Sequence, residues 1–459
     1  MTTTKNPNLD VERLRRDVTG RVIAPDDAGY DTAHELFSPM YDTVYPAVVV
    51  QPTDAKDVAT VLAAARETGL ELAIRSGGHS AAGHSTTNGG IVVDLRALKA
   101  LEIDLETNTA WAASGLTAAE YSNETNAQGL ATGLGDTGSV GLGGITLGGG
   151  IGFLVRKHGM TIDSLLAAEV VTADGDLVQT DQESHPDLFW AIRGGGGNFG
   201  VATRFQLRLQ PLDNIVGGMM ILPATPEAIL GFIAEAEAAP EELSTIANAM
   251  TCPPMPFVPE ELHGSLVIMA LVAWCGEIDE GQKVMDRFRA LAPPIADMVE
   301  EMPYPGIYGP EDEEYRPLAV AKTMWADSFD QETAETILGH LEDSDAPMRV
   351  AQLRVLGGAM ARVPNEATAF AHRDRKMMIN VASFFEGPDD RPRREQWVSD
   401  LTKALTDGDL SGYVGFLADE GQDRVRAAYP GTTWDRLRQV KAKYDPGNLF
   451  RLNQNIPPA

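Results

Sequence analysis

The chain has 459 residues, 43% apolar and 22% charged, the composition of a soluble globular protein long enough for two or more domains. Its 37 basic and 66 acidic side chains leave a net charge of −29, which argues against a nucleic-acid or anionic-membrane partner, since both need a basic face. No apolar run approaches a membrane span, and the first ten residues are polar, without the apolar stretch of a secretory signal, so a cytoplasmic protein is expected. Cys252 and Cys275 have no metal-type spacing with each other or with the eight histidines; no metal is expected, and two buried thiols or one disulfide remain open.

Residues 47–50 read as a buried strand. Thr53 is placed to cap a helix, with Asp54 in its first turn. Val58, Val61, Leu62 and Ala65 recur at helical spacing, and Gly69 ends the helix. A second strand over 72–74 completes a β-α-β unit that runs into Arg75-Ser76-Gly77-Gly78-His79-Ser80. Two glycines let that backbone turn tightly and approach a ligand. Successive N–H groups in such a turn can form an anion-binding nest, and a nucleophilic imidazole sits at the tip. The six residues fit either a cofactor held at its phosphates and bonded through the histidine, or a plain turn with a solvated histidine.

Strands are expected over 91–95 and 109–113, then a helix over 117–127. The glycine-dense stretch 133–152 has Leu134, Val140, Leu142, Ile145, Leu147 and Ile151 between its glycines, which marks a packed loop approached by a ligand or another backbone rather than a linker. Ala173-Asp174-Gly175-Asp176 signals a hairpin between strands near 169–172 and 177–180. A short helix over 185–192 leads to a third loop, Gly194-Gly195-Gly196-Gly197-Asn198-Phe199-Gly200, and a strand from Val201. Beyond Pro211, helices are expected over 226–238, 280–291, 332–341 and 394–405, and strands over 265–273, 350–355 and 377–384. The tail should hold a strand near Tyr413, a helix over 433–443 and a proline-rich end.

Three glycine-rich loops suit a large nucleotide cofactor. None is a P-loop, and the first lacks the spacing of a Rossmann fingerprint, so simple NAD(P) binding is disfavoured.

In this order, Arg75 to Ser80, Gly141-Leu142-Gly143-Gly144 with Gly148-Gly149-Gly150, and Leu188-Phe189-Trp190-Ala191 through Gly200 resemble the FAD domain of the vanillyl-alcohol-oxidase type. The tail Tyr444-Asp445-Pro446-Gly447-Asn448-Leu449-Phe450-Arg451-Leu452-Asn453-Gln454-Asn455-Ile456-Pro457-Pro458 resembles the terminal segment of berberine-bridge-enzyme-like oxidases. The resemblance implies an α+β protein with a two-subdomain FAD-binding domain over 1–211. A substrate domain of antiparallel sheet covered by helices would span 212–410, and the segment 411–459 would return to the FAD domain. It implies FAD held by Arg75, Ser76, Gly77, Gly78, Ser80, Thr137, Val140, Gly143, Gly144, Gly197, Asn198, Gly200, Val201, Asn453 and Asn455, with His79 joined covalently to the flavin 8α-methyl group. His84 would be a supporting loop residue.

Many such relatives attach the flavin a second time through a cysteine, and that position is Thr137 here. A single link is therefore expected, as in the mono-covalent, hydroxynicotine-oxidase-like kind. Val140 matches a position where a small residue admits O2, which favours an oxidase. Tyr413, in Gly412-Tyr413-Val414-Gly415-Phe416, resembles a tyrosine that faces the flavin and takes a substrate proton; with an ordinary pKa near ~10 it would have to be lowered or act in concert. Gly415 stands where relatives usually carry Asn. Gln352 and Arg354 share one strand face, and Gln352 joins Tyr413 as a candidate catalytic residue; Trp325, His372 and Arg373 are weaker candidates for the pocket wall. The expected reaction is hydride transfer from an alcohol or amine carbon of a small-molecule substrate to flavin N5, with reoxidation by O2 to H2O2, in a monomer or homodimer. The alternatives are a flavin dehydrogenase with another acceptor and a tailoring oxidase that performs oxidative cyclisation.

Overall fold

The computed structural model describes residues 9–310, 315–406 and 408–459. Its first sheet has four strands. Val48–Gln51 and Leu72–Arg75 both pair parallel with Ile91–Asp94, which lies between them, and Arg21–Ile23 adds an antiparallel edge. The crossover helix Ala55–Thr68 is capped by Asp54, whose side chain accepts from Asp57 N, one residue later than expected. Thr53 instead gives its N–H and hydroxyl to the Asp57 carboxylate. Val58, Val61 and Leu62 are fully buried against the sheet, each worth about 1.5–3 kcal/mol. Gly69 ends the helix in the left-handed conformation. The His79 loop thus leaves the carboxyl end of a parallel strand, where open α/β sheets place their ligands.

A five-stranded antiparallel sheet follows, in the order Leu101–Asp104, Thr109–Ala113, Val201–Arg208, Leu165–Val171, Leu177–Asp181. The Asp174-Gly175 turn joins the last two strands, with Gly175 at φ +90°. Strand Leu101–Asp104 was not expected; it is a four-residue edge strand in which half-buried Leu101 and Ile103 alternate with exposed Glu102 and Asp104. Thr117 and Glu120 form a capping box on helix Ala118–Asn126. The glycine-dense stretch is packed, as expected, but is partly helical: it contains Leu142–Gly148, with Val155–His158 and Thr161–Ser164 just beyond.

The middle of the chain builds an eight-stranded antiparallel sheet. Helices Pro226–Ala238, Ile278–Arg289, Gln331–Asp343 and Arg391–Leu405 pack on one face, against Ala247, Ala249, Ala351, Leu353, Ile379 and Val381. Sequence patterning found those helices but missed strands Asn214–Pro223, Leu243–Thr251 and Leu318–Ala326. The first two are buried on both faces for much of their length, which erases the alternation that marks a half-buried strand.

No strand lies beyond Phe385 among the described residues. Tyr413, expected in a strand, caps the 3-10 turn Val414–Phe416. Helix Thr433–Tyr444 packs back on helix Pro186–Ala191, and Tyr444 donates its hydroxyl to Asp187 Oδ1 at 2.9 Å. Among the described residues no helix is long and apolar enough to cross a membrane.

Candidate active site

The three glycine-rich loops converge. Ser76 Oγ donates to Ser114 O at 2.6 Å and accepts from Gly143 N at 3.1 Å. A side chain on Gly77 would collide with the Gly141 backbone, and one on Gly141 with Gly77 and Ser76, so both must be glycine for the first two loops to touch. The third loop joins them where Gly194 N donates to Leu147 O at 3.0 Å, at the end of helix Leu142–Gly148. Gly78, at φ +79°, turns the chain just before His79.

Around this junction lie features that fit a large polar cofactor. A Cβ on Gly144 or on Gly197 would meet nothing within 4 Å, so the chain leaves open space beside both. The tail supplies polar atoms: the side-chain oxygens of Asn453 and Asn455 are buried without a partner. Orphaned buried acceptors are costly, and flavin or ribityl donors would satisfy them. His84 reaches Gln454 Oε1 at 3.3 Å, tying the His79 loop to the same tail.

Several expected cofactor contacts have other duties. Arg75 is fully buried and faces away from the nest: it donates to Ala33 O at 2.6 Å and Ser85 O at 3.2 Å, beside Asp94. Burial pushes its guanidinium down to about 10, against the opposing pull of Asp94; it braces the loop from beneath. The Asn198 side chain is spent on the protein, giving both amide hydrogens to Gly195 O and Gln454 O and accepting from Ile456 N. Gly200 is required by packing, since a Cβ would lie 2.5 Å from Val170 Cγ1. Val201 is a core side chain at the start of its strand. Only backbone atoms of Asn198, Gly200 and Val201 could meet a cofactor. Ser80 Oγ accepts from His84 N at 3.3 Å, Thr137 Oγ1 donates to Asp136 Oδ1 at 3.2 Å, and Val140 holds the loop by accepting from Ala118 N.

The other wall comes from the uncovered face of the large sheet. Antiparallel register puts Asn248 opposite Gln352, Gln352 opposite Asn380, and Asn380 opposite Thr323. Gln352 gives its amide to Asn248 Oδ1 at 3.0 Å and takes two hydrogen bonds from Arg354, at 2.8 and 2.6 Å. Arg354 also pairs with Asp136 from the glycine-dense stretch and lies over Phe416, 5.2 Å from the ring centre. Gln352 therefore orients Arg354 across to the first half of the chain, and its amide has little left for chemistry.

Tyr413 stands between the two walls, packed with Trp325, Phe370, Met160 and Met378. Its phenol oxygen accepts from Gly150 N at 2.9 Å. Burial pushes the phenol up to about 12, more than that hydrogen bond and the Arg354 charge pull it down. The lowered pKa a free-standing base would need is not what this site provides; Tyr413 stays protonated. Trp325 belongs to this wall, and His372 stacks behind it with ring centroids 5.3 Å apart, while bonding to Ala428 O and lining a polar cavity of about 440 Å³ with Arg375 and Asp409. Arg373 forms a two-pronged pair with Asp163, at 2.7 and 2.8 Å, that clamps the middle region to the first half. Sequence reasoning missed Asp136, Asn248 and Asn380. Asp136, a carboxylate among glycines, was visible as an oddity; the other two sit on strands whose register only the fold supplies.

Known proteins carry the same parts in the same order. Residues 46–181 match the FAD binding domain family and residues 407–457 the berberine and berberine-like family. The chain is 28% identical over 452 residues to (R)-6-hydroxynicotine oxidase of Paenarthrobacter nicotinovorans, covering 96% of this chain and 97% of that one. It is 29% identical over 455 residues to an uncharacterized FAD-linked oxidoreductase of Bacillus subtilis, covering 96% and 97%. The crystal structure of 6-hydroxy-D-nicotine oxidase from Arthrobacter nicotinovorans superposes with a TM-score of 0.85 at 26% identity, over 96% of this chain and 98% of that one. A cradle with orphaned tail acceptors, both family matches and full-length relatives agree: the chain belongs to the berberine-bridge-enzyme-like, FAD-linked oxidoreductases of the vanillyl-alcohol-oxidase type.

Proposed function

We propose that this protein is an oxidase for a small alcohol or amine, with FAD tethered by a single bond to His79. The carrying observation is the hydrogen bond from Gly150 N–H to Tyr413. It ties the end of the glycine cradle to a phenol that also borders the polar row of Gln352 and Arg354. Bound FAD would supply the acceptor for the substrate's hydride and pass the two electrons to O2, giving H2O2.

The protein's own share is binding and proton handling. Thr137 and the glycines around it offer no thiol for a second tether, and Cys252 and Cys275 are buried elsewhere, which supports a single link. Arg354 and Asp136 neutralise one another, so the pocket suits a neutral polar substrate better than an anion. Tyr413, held protonated, would orient the substrate hydroxyl or amine by hydrogen bonding and take its proton only as its own moves on. A free-base amine needs no proton removed before its C–H bond breaks, so this arrangement serves an amine at least as readily as an alcohol.

The test is anaerobic bleaching of the bound flavin by hydroxylated N-heterocycles, aromatic alcohols and sugars, followed by a peroxide assay in air. Bleaching with stoichiometric H2O2 is expected. Bleaching without peroxide, and turnover only with an added dye, would identify a dehydrogenase instead. For the tether, acid precipitation should leave the yellow colour on wild-type polypeptide and none on His79→Ala.

A further inference from the structure

Phe37 is a large apolar side chain left 41% exposed. Yet its ring lies nearly flat on the His79 imidazole, with centroids 4.4 Å apart and planes 19° apart. The two rings sit on segments braced by one guanidinium. Arg75 donates to the carbonyls of Ala33 at 2.6 Å and Glu35 at 3.5 Å, just before Phe37, and to Ser85 at 3.2 Å, just after the His79 loop. Further ties close the segment from the other side. Arg316 donates to Leu36 O at 2.7 Å and pairs with Asp42 at 2.5 Å, and the Tyr41 hydroxyl donates to Ala81 O at 2.7 Å. The stack is therefore carried by two anchored segments, and its exposure shows that burial alone does not explain it.

Resting on the covalent tether proposed above, we infer that Phe37 is a positioning residue for that attachment. The ring–backbone torsion of a histidine is broad and soft; an aromatic face laid on the imidazole restricts it to one plane. One ring nitrogen is thereby presented to the 8α-methyl carbon of FAD instead of sweeping past it. The attachment replaces a methyl C–H bond with a C–N bond. The methyl hydrogen and the imidazole N–H are lost as protons, and the two electrons left on the ring system reduce O2 to H2O2. Phe37 enters none of these bonds; it acts through His79.

The test uses full-length protein produced under riboflavin limitation and then incubated with FAD in air. Total bound flavin is read after gel filtration and covalent flavin after acid precipitation, both against time. Phe37→Leu keeps apolar volume but removes the stack. It should bind FAD as wild type does while attaching it roughly threefold to tenfold more slowly, from the loss of one stacked pair; Phe37→Tyr should restore the wild-type rate. Equal rates for Phe37→Leu and wild type would overturn the inference, as would parallel loss of total and covalent flavin. If wild type itself attaches no flavin, the covalent reading fails, which is a separate result.

Discussion

The Gly150 amide points at the Tyr413 phenol oxygen from 2.9 Å, across 263 residues of sequence. It ties the end of the glycine cradle to the tail, and it leaves the phenol one acceptor already used and one proton to share. Tyr413→Phe strands that buried N–H, so a stability loss of about 1–3 kcal/mol is expected. Turnover should fall at least 100-fold if the phenol handles the substrate proton. Thermal melting and single-turnover bleaching read the two effects separately; unchanged bleaching would remove Tyr413 from the chemistry.

Burial raises both Tyr413 and Tyr30 to about 12, against about 10 for an unfolded tyrosine. With the folded pKa above the unfolded one, the folded state holds more protons between pH 10 and 12. The stability from these phenols is therefore full below pH 10 and is lost as pH rises toward 12. Phenolate absorbance of these tyrosines should appear with unfolding in that window, not before it. The pH–rate profile should show no alkaline limb from Tyr413 near pH 10.

Arg354 serves Gln352 and Asp136 with a planar fork that a lysine cannot reproduce. Arg354→Lys should lower kcat/KM by roughly 10-fold to 100-fold through the lost charge-assisted bonds, with flavin content unchanged. Steady-state kinetics on the best substrate from the bleaching screen gives the ratio. Wild-type kinetics in the variant would mean the polar row does not meet substrate.

Gly144 lies inside helix Leu142–Gly148 with open space where its Cβ would be. Gly144→Ala should leave the flavin-free protein as stable or about 0.5–1 kcal/mol more stable. FAD loading should drop if the cofactor passes Gly144, because the methyl group would occupy the space it needs. Tm of the flavin-free protein and flavin content per polypeptide measure both; full loading would move the cofactor away from Gly144.

Lys441 is fully buried, donating to Asp445, Asn198 O and Phe450 O at 2.6, 2.7 and 2.9 Å. Asp445 in turn holds the amides of Leu449 and Phe450, so this pair sets the course of the tail toward Asn453 and Asn455. Lys441→Met leaves a buried carboxylate without its cation and should cost about 3–5 kcal/mol. Calorimetry gives the loss. The flavin should also become more exposed to iodide quenching if the tail is one of its walls.

Much of the architecture is local physics and could be read directly. Gly69 ends its helix because only glycine takes that left-handed turn cheaply. Asp174-Gly175 closes a hairpin, Thr117 and Glu120 cap a helix, and the three glycine-rich loops stand where the chain must pass close to something. These depend on residues near one another in sequence, so they survive the loss of tertiary information. The site is different. Whether Asn248, Gln352 and Asn380 form one row depends on strand register, and the strand that carries Asn248 is buried on both faces for much of its length, where alternation disappears. Arg75 and Asn198 have side chains that sequence assigns to a cofactor, but their hydrogen bonds are claimed by carbonyls and amides far along the chain. The upward shift of Tyr413 needs the aromatic wall of Trp325 and Phe370 around it. Local residue choice settles turns, caps and loops; which polar groups remain unpaid for a ligand is settled only when distant segments have taken their share of the hydrogen bonds.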